Sequence, residues 1–297
     1  MASPAAEIHV DARLVRALLD EQHPDLADLR LLELDAGWDN TLWRLGDALL
    51  VRLPRRALAA SLTLNEQRWL PTLSTLLPLP VSAPVRVGRP SRVYPWSWSI
   101  LPWLEGTPGD RSAITSPAAV ATQLGDFLRA LHHAAPPTAP SNPFRGVPLV
   151  DRADTFETRV NELSAEIDGR AVREVWKRAC EAAPWVGPPR WLHGDLHPAN
   201  TLVADGILSA VIDFGDLCSG DPATDLAAAW MLLPPSELPA FASAYGGMDA
   251  DLDVRALGWS ILFGTMLLAI GLENRPTYEP IGRRTLDHAI MHAADRR

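Results

Sequence analysis

A hairpin pattern late in the chain restricts the fold more than any other segment. Thr201-Leu202-Val203 and Leu208 to Ile212 are runs of strand-forming residues, and Asp205-Gly206 between them is a dipeptide suited to a tight hairpin turn. An antiparallel hairpin returns to its own starting point, so its open ends meet. Asn200 stands at one end, Asp213 at the other, and Asp195 lies on the loop just before. Local geometry therefore collects two carboxylates and a carboxamide. Oxygen donors of this kind suit Mg2+, whose remaining positions are filled by water and phosphate oxygens. Any one of these residues alone reads as a strand or turn cap; the spacing of all three points to a site.

The rest of the chain divides into two textures, giving an expected α+β fold. Val10, Leu14, Leu18 and Leu19 recur at helical spacing behind Asp11, a plausible N-cap. Leu29 to Leu34, Leu42 to Leu45 and Ala48 to Arg52 read as strands, with Gly46-Asp47 turning the chain. Ala57 to Leu70 reads as a helix ended by Pro71, and Val93 to Leu101 as one or two further strands. Beyond Glu105-Gly106-Thr107-Pro108-Gly109 the pattern is helical: Pro117 onward behind Ser116, a helix carrying Phe156, Val160, Leu163 and Ile167, and another over Ala171 to Ala183. The expected boundary separates an N-terminal lobe, residues 1–104, from a C-terminal lobe, residues 105–297.

Composition narrows the partners. A formal net charge of -9 argues against general nucleic-acid binding. Two cysteines, Cys180 and Cys218, do not make a disulfide scaffold, and the first ten residues lack the basic start and apolar run of a signal peptide. The expected location is the cytoplasm. Ala256 to Leu272 is uncharged, but it lies at the lower length limit for a membrane span and has no basic flank, so a buried helix is expected and no membrane partner. Lys177 is the only lysine in the chain.

His193-x-Asp195, with Asn200 five residues after the Asp, followed by Asp213-Phe214-Gly215, resembles the catalytic loop and metal motif of protein kinases. The wording His193-Gly194-Asp195-Leu196-His197-Pro198-Ala199-Asn200, with Gly220-Asp221-Pro222 and Asp225-Leu226-Ala227, more closely resembles the aminoglycoside phosphotransferase family. That resemblance runs from about Leu34 to the C-terminus. It implies a protein-kinase-like bilobal fold and an ATP- or GTP-dependent transfer of the γ-phosphate to a small-molecule hydroxyl. Only eleven residues separate Asp213 from Asp225, too few for the activation segment of a typical protein kinase. A non-catalytic nucleotide-binding module and a metabolite kinase (choline, homoserine or sugar) are the alternatives.

By the same resemblance, Asp195 is the catalytic base or hydroxyl-orienting group, and Asn200 and Asp213 hold Mg2+ ions that bridge the nucleotide phosphates. His197 either donates to the γ-phosphate or makes a hydrogen bond within the loop. His193 and Asp225 brace that loop. The family uses a strand lysine, paired with a helix glutamate, to fix the α- and β-phosphates. With no lysine available there, Arg52 is the candidate cation and Glu66 its partner, Arg55 and Arg56 being the competitors. Gly37 and Asn40 are candidates for covering the phosphates, and Ile100, Leu101, Trp103 and Leu202 for packing against the base. Pro102 cannot donate a hydrogen bond there.

The acceptor is less constrained. An aminoglycoside-type polycation would be drawn to acidic residues of the helical lobe, such as Asp154, Glu157, Glu162, Glu166, Glu273 and Asp287. Eleven tryptophans also allow an apolar acceptor such as a macrolide. His132-His133 reads as a helix end rather than a metal site, because adjacent helical residues point apart.

Overall fold

The structure, a computed structural model, describes residues 5–34 and 39–295, so Gly37 lies outside the described residues. Helix α1 (Ala12–Gln22) opens the N-terminal half, with the Asp11 carboxylate accepting from Leu14 N–H at 2.8 Å as its cap. An antiparallel sheet follows, built from β1 (Leu31–Glu33), β2 (Asn40–Leu45), β3 (Leu49–Pro54), β4 (Arg86–Gly88) and β5 (Trp98–Pro102) in the order β1-β2-β3-β5-β4. Helix α2 (Ala57–Leu73) is inserted after β3.

Strand alternation separates the two sheet faces. The pairs Leu42↔Arg52, Arg44↔Leu50 and Leu50↔Leu101 share one face, together with Asn40 and Ser99. Trp43, Val51, Leu53, Trp98 and Ile100 occupy the other, where they form a buried cluster with Val15, Leu18 and Leu19 of α1. Ile100 therefore belongs to this small core and not to the face that carries Arg52. Gly88 is opposite Trp98, and a Cβ on it would come 1.9 Å from the indole.

Pro71 does not end α2. It sits in the last turn, where its missing N–H forfeits a single intrahelical bond, and the helix closes with Ser74 N–H donating to Leu70 C=O. Of Val93 to Leu101 only Trp98 to Leu101 are strand, as part of β5; Tyr94 instead buries its ring and donates its hydroxyl to Pro54 C=O at 2.6 Å. Strand β4 carried no usable alternation over its three residues.

The C-terminal half holds α3 (Pro117–Leu131), α4 (Ala153–Glu162), α5 (Gly169–Glu181), α6 (Ala223–Leu226), α7 (Ala228–Leu232), α8 (Leu238–Tyr245), α9 (Ala250–Glu273) and α10 (Glu279–Asp295). The helix expected through Ile167 stops at Glu162, because Asp168 accepts from Arg170 and Ala171 N–H and starts α5 as a separate element. Two small sheets complete this half: β6 (Thr107–Pro108), β8 (Thr201–Ala204) and β9 (Ile207–Val211) in one, and β7 (Arg190–Leu192) with β10 (Cys218–Gly220) in the other. Asp205 and Gly206 both have positive φ, 53° and 77°, as a two-residue hairpin turn requires.

Helix α9 passes the length and apolarity test for a membrane span, yet 78% of its apolar window is buried inside the protein, and it is the central helix of the large core. Leu70 and Leu73 of α2 and Val81 join that same core, and Val211 N–H donates to Pro80 C=O at 3.0 Å. The two halves are thus stitched by α2 and the segment after it, as well as by the chain after β5. Gly88→Ala is expected to overpack the Trp98 site and cost about 1–3 kcal/mol, read as a lower midpoint in denaturant unfolding; an unchanged midpoint would show that the indole moves aside freely.

Candidate active site

The loop of residues 193–200 is held by a buried carboxylate. Asp225, fully buried at the start of the α6 region, accepts from His193 N–H at 2.7 Å and Gly194 N–H at 2.9 Å. His132, at the C-terminus of α3, adds a third contact to Asp225 through Nε2 at 3.2 Å and meets the Tyr245 hydroxyl through Nδ1 at 3.0 Å. The His193 ring ties the loop to the hairpin: Nδ1 accepts from Asp195 N–H at 3.2 Å, so Nε2 carries the proton and donates to Ile212 C=O at 2.9 Å. Gly194 has φ +84°, and a Cβ there would lie 2.5 Å from the Asp216 carbonyl oxygen. A glycine is required at that point.

On this frame the polar residues converge. Ile212 N–H donates to Asn200 C=O at 2.9 Å, which closes the open end of the hairpin. Asn200 Nδ2 donates to the Asp195 carbonyl at 2.8 Å and lies 3.4 Å from the Asp195 carboxylate. His197 is buried, with Nε2 3.5 Å from Asp195 Oδ2 and its ring edge-on to Tyr278, while Nδ1 has no partner. The local contact considered for His197 is therefore present. Asp213 has a left-handed φ of 62°, a conformation Asp tolerates better than most residues, and its side chain is 53% exposed.

Arg52 joins this loop to the sheet. Its Nη1 donates to both carboxylate oxygens of Glu66, at 2.8 and 3.1 Å, and its Nη2 donates to Asp213 Oδ1 at 2.9 Å. Asn40 completes the shell: with its amide oxygen turned to the guanidinium, it accepts from Nε at 3.1 Å and Nη2 at 2.9 Å. Burial works against the Arg52 charge, but Glu66 and then Asp213 outweigh it and hold the guanidinium above its ordinary pKa. Arg56, a competing candidate, is instead paired with Asp39.

Leu101 and Leu202 are both buried but belong to neither hydrophobic core, and Leu101 shares the sheet face of Arg52. The Arg44 guanidinium lies over the Trp103 ring, 4.0 Å from its centre, and the Trp103 backbone N–H donates to the Ala48 carbonyl at 2.7 Å.

Arg145 was not foreseen. Its Nη2 donates to Asp195 Oδ1 at 2.8 Å from a proline-rich loop fifty residues upstream. Burial alone would raise the Asp195 carboxyl, but Arg145, assisted by His197, overrides it and holds the group well below the usual carboxylate range. Asp216, bonded by Asn142 Nδ2 at 2.7 Å, is pushed up by burial and by the Asp195 charge. Asn142-Pro143 marks a turn, in which Asn142 accepts from Phe144 N–H at 2.8 Å, but no sequence period connects Asn142 or Arg145 to Asp216 or Asp195.

The donors fit Mg2+ in number and type. Among the described residues no trio of His, Cys, Asp or Glu side chains has metal-binding geometry, so a cage made by the protein alone is absent there. What Asn200 and Asp213 offer is one amide oxygen and one half-exposed carboxylate, the small protein share that Mg2+ takes when phosphates supply the rest.

A family model described as the phosphotransferase enzyme family matches residues 30–257. No curated protein is similar enough in sequence to match. Among solved structures, the GDP and kanamycin complex of APH(2")-IIia is 18% identical, with a TM-score of 0.65 over 94% of this chain and 98% of that one. The apoenzyme of macrolide 2'-phosphotransferase MphH from Brachybacterium faecium is 24% identical, with a TM-score of 0.60 over 94% of this chain and 97% of the other. The streptomycin–ATP ternary complex of APH(2")-IIa is 17% identical, with a TM-score of 0.58 over 87% and 91%. At these identities the solved structures speak for a shared fold, and the family match covers most of the sequence: this chain belongs to the phosphotransferase enzyme family.

Proposed function

We propose that this protein transfers the γ-phosphate of ATP or GTP, with Mg2+, to a hydroxyl of a small molecule. The observation that carries the reading is the Arg52 guanidinium, which contacts Glu66 and Asp213 at once and so holds a cation where a nucleotide's phosphates would meet the Asp195–Asn200 pair. Solved relatives with GDP or ATP in their descriptions support a nucleoside triphosphate as donor. The two free cysteines suit a reducing compartment, the cytoplasm.

In this reading the N-terminal half, to about residue 104, holds the nucleotide. The base lies between Leu101 and Leu202, and Arg52 grips the α- and β-phosphates, positioned by Glu66 and Asn40. Asn200 and Asp213 hold Mg2+, which when bound neutralises phosphate charge. Asp195 accepts the proton of the acceptor hydroxyl. The acceptor oxygen forms the new bond to the γ-phosphorus, while the bond from that phosphorus to the bridging oxygen breaks and its electron pair leaves with the nucleoside diphosphate. A carboxylate held strongly acidic is a weak base, so Asp195 serves chiefly to orient the hydroxyl and takes its proton late. Positioning and electrostatics account for most of the catalysis in such a transfer.

An aminoglycoside-type acceptor would need free acidic side chains. Glu157 is paired with Arg173 at 2.8 Å and Glu166 with Arg283 at 2.6 Å, so two of the six acids expected to attract a polycation are already matched.

Asp195→Ala is expected to lower kcat about 100-fold or more while Mg-nucleotide affinity holds; calorimetric titration with nucleotide beside a coupled turnover assay separates the two, and wild-type turnover would remove Asp195 from the reaction. Asp213→Ala should abolish the Mg-dependent part of nucleotide affinity, and an affinity unchanged by Mg2+ removal in both proteins would refute the metal assignment. Arg52→Gln should raise the KM for nucleotide about tenfold or more, since it removes a charged hydrogen-bonding group from the phosphates; a KM at the wild-type value would pass the role to another cation.

A further inference from the structure

Asp195 is held from outside its own loop by a proline-rich strap. Residues 136–148 include Pro136, Pro137, Pro140, Pro143 and Pro148, each with a fixed φ and no N–H to donate. The middle of the strap is tied down on both sides. Ser219 N–H donates to Pro140 C=O at 2.9 Å, Asp221 N–H to Gly146 C=O at 3.0 Å, and Gly146 N–H to the Thr224 hydroxyl at 3.1 Å. Between these ties Asn142 accepts from Phe144 N–H at 2.8 Å and donates to Asp216 at 2.7 Å. Asp216, Ser219, Asp221 and Thr224 all belong to the segment that follows Asp213. Arg255 of α9 donates from Nε to Asp221 at 2.8 Å, so that segment is itself anchored to the central helix.

Arg145 is the side chain this strap brings to Asp195. Its Nη2 donates to Asp195 Oδ1 at 2.8 Å, with 15% of the arginine side chain and 24% of the aspartate side chain exposed. Nη1 reaches only the neighbouring Phe144 C=O, at 3.5 Å, and Nε is buried without a partner among the described residues. A buried arginine so poorly satisfied is a costly way to stabilise a fold, and its one short bond goes to Asp195. The two oxygens of that carboxylate are thereby made unequal. Oδ1 is taken by Arg145, whereas Oδ2 has only long contacts, 3.4 Å to Asn200 Nδ2 and 3.5 Å to His197 Nε2. The Cβ–Cγ torsion of an aspartate is broad when nothing holds it, so a bond to one oxygen gives the other its direction.

Resting on the phosphotransfer reading above, we infer that Arg145 is a positioning residue for the transfer: it fixes the Asp195 carboxylate through Oδ1 and so presents Oδ2 to the acceptor hydroxyl. Arg145 touches neither nucleotide nor acceptor in this assignment and acts through Asp195 alone. Because the strap hangs on the segment after Asp213, one hydrogen-bonded frame places both carboxylates.

The test is a double-mutant cycle on the full chain, read as phosphate released from Mg-ATP or Mg-GTP with water as the acceptor. Arg145→Gln should lower kcat about tenfold or more, the scale of loss that a small misplacement of a reacting group brings, and leave the KM for nucleotide within about twofold. Arg145→Lys, which supplies one charged donor, should recover most of the loss. In the Asp195→Ala background Arg145→Gln should cost nothing further, because its target is gone, whereas a merely structural arginine would cost the same in both backgrounds. Wild-type kcat in Arg145→Gln, a loss confined to KM, no recovery with lysine, or an equal loss in both backgrounds would each overturn the assignment. Arg145→Met, which keeps the aliphatic stem against the Phe263 ring, replaces the glutamine variant if that does not fold. Crystal structures of the wild-type chain and of the Arg145 variant give a second measurement that needs no turnover. The Asp195 carboxylate should hold one orientation in the first and turn, or take several, in the second; one orientation common to both would overturn the assignment. Those structures decide the role of Arg145 even if the wild type releases no phosphate, an outcome that bears on the phosphotransfer reading alone.

Discussion

One guanidinium holds the cleft together. Arg52 leaves β3, is bound bidentately by Glu66 of α2, and reaches across to Asp213 after β9. Each of the three residues sits on a different element, so their meeting sets how the sheet, the inserted helix and the hairpin lie relative to one another. A buried ion pair is a poor source of stability, since desolvating both charges offsets most of their attraction. Its value here is geometric, because removing either carboxylate leaves a buried charge without its partner. Arginine does this with more donors than lysine, and it has used most of them: two contacts to Glu66, one to Asp213, and the Asn40 amide on Nε and Nη2. In the proposed function, a nucleotide phosphate would share or replace the Asp213 and Asn40 contacts. With its side chain 53% exposed, Asp213 is the partner best placed to turn toward solvent.

The loop bearing Asp195 is rigid for a different reason. It has little regular structure of its own, yet nearly every polar group around it is bound: two amides on Asp225, the His193 ring between Asp195 N–H and Ile212 C=O, and the Asn200 amide on the Asp195 carbonyl. The His193 tautomer follows from the two partners, since a backbone N–H must find an acceptor and a carbonyl a donor. Gly194 allows the chain to pass against the Asp216 carbonyl. The frame supporting the Asp195 carboxylate is thus mostly backbone hydrogen bonding, and Asp225 and His132 serve it from the buried side.

Local patterns made much of this legible in the amino-acid order. The Asp205-Gly206 turn, the capping Asp11, the apolar stripes of α3 and α5 and the approach of Asn200 to Asp195 all depend on residues within about ten positions of each other. The pairing of Arg52 with Glu66 was legible through the family resemblance, which sets a strand cation against a helix glutamate. Readings failed where facing or distance decided. Ile100 and Leu101 are neighbours of equal apolarity, and only the register with Val51 and Leu50 reveals that the first points into the small core and the second toward the cleft. The contacts of Arg145 with Asp195 and of His132 with Asp225 span fifty and ninety-three residues, and neither end carries a periodic signal. Pro71 misled because a proline in a final turn removes one hydrogen bond and leaves the helix otherwise intact.

Net charge was the least informative guide to the acceptor. A chain at -9 suggests attraction for cations, but that figure sums over the whole surface, and several acids spend their charge on nearby arginines, as Glu157 does on Arg173 and Glu166 and Glu279 do on Arg283. Charge within a few ångströms acts through a medium less polarisable than water, whereas opposing charge a Debye length away is largely screened. The sign of a small pocket is therefore set by its own walls. Near the Asp195 loop, Arg145, Arg152 and Arg159 share one wall, and Arg145 is paired with Asp195. A chain of net charge -9 with a single lysine has in this way kept three guanidiniums together next to the loop that bears Asp195.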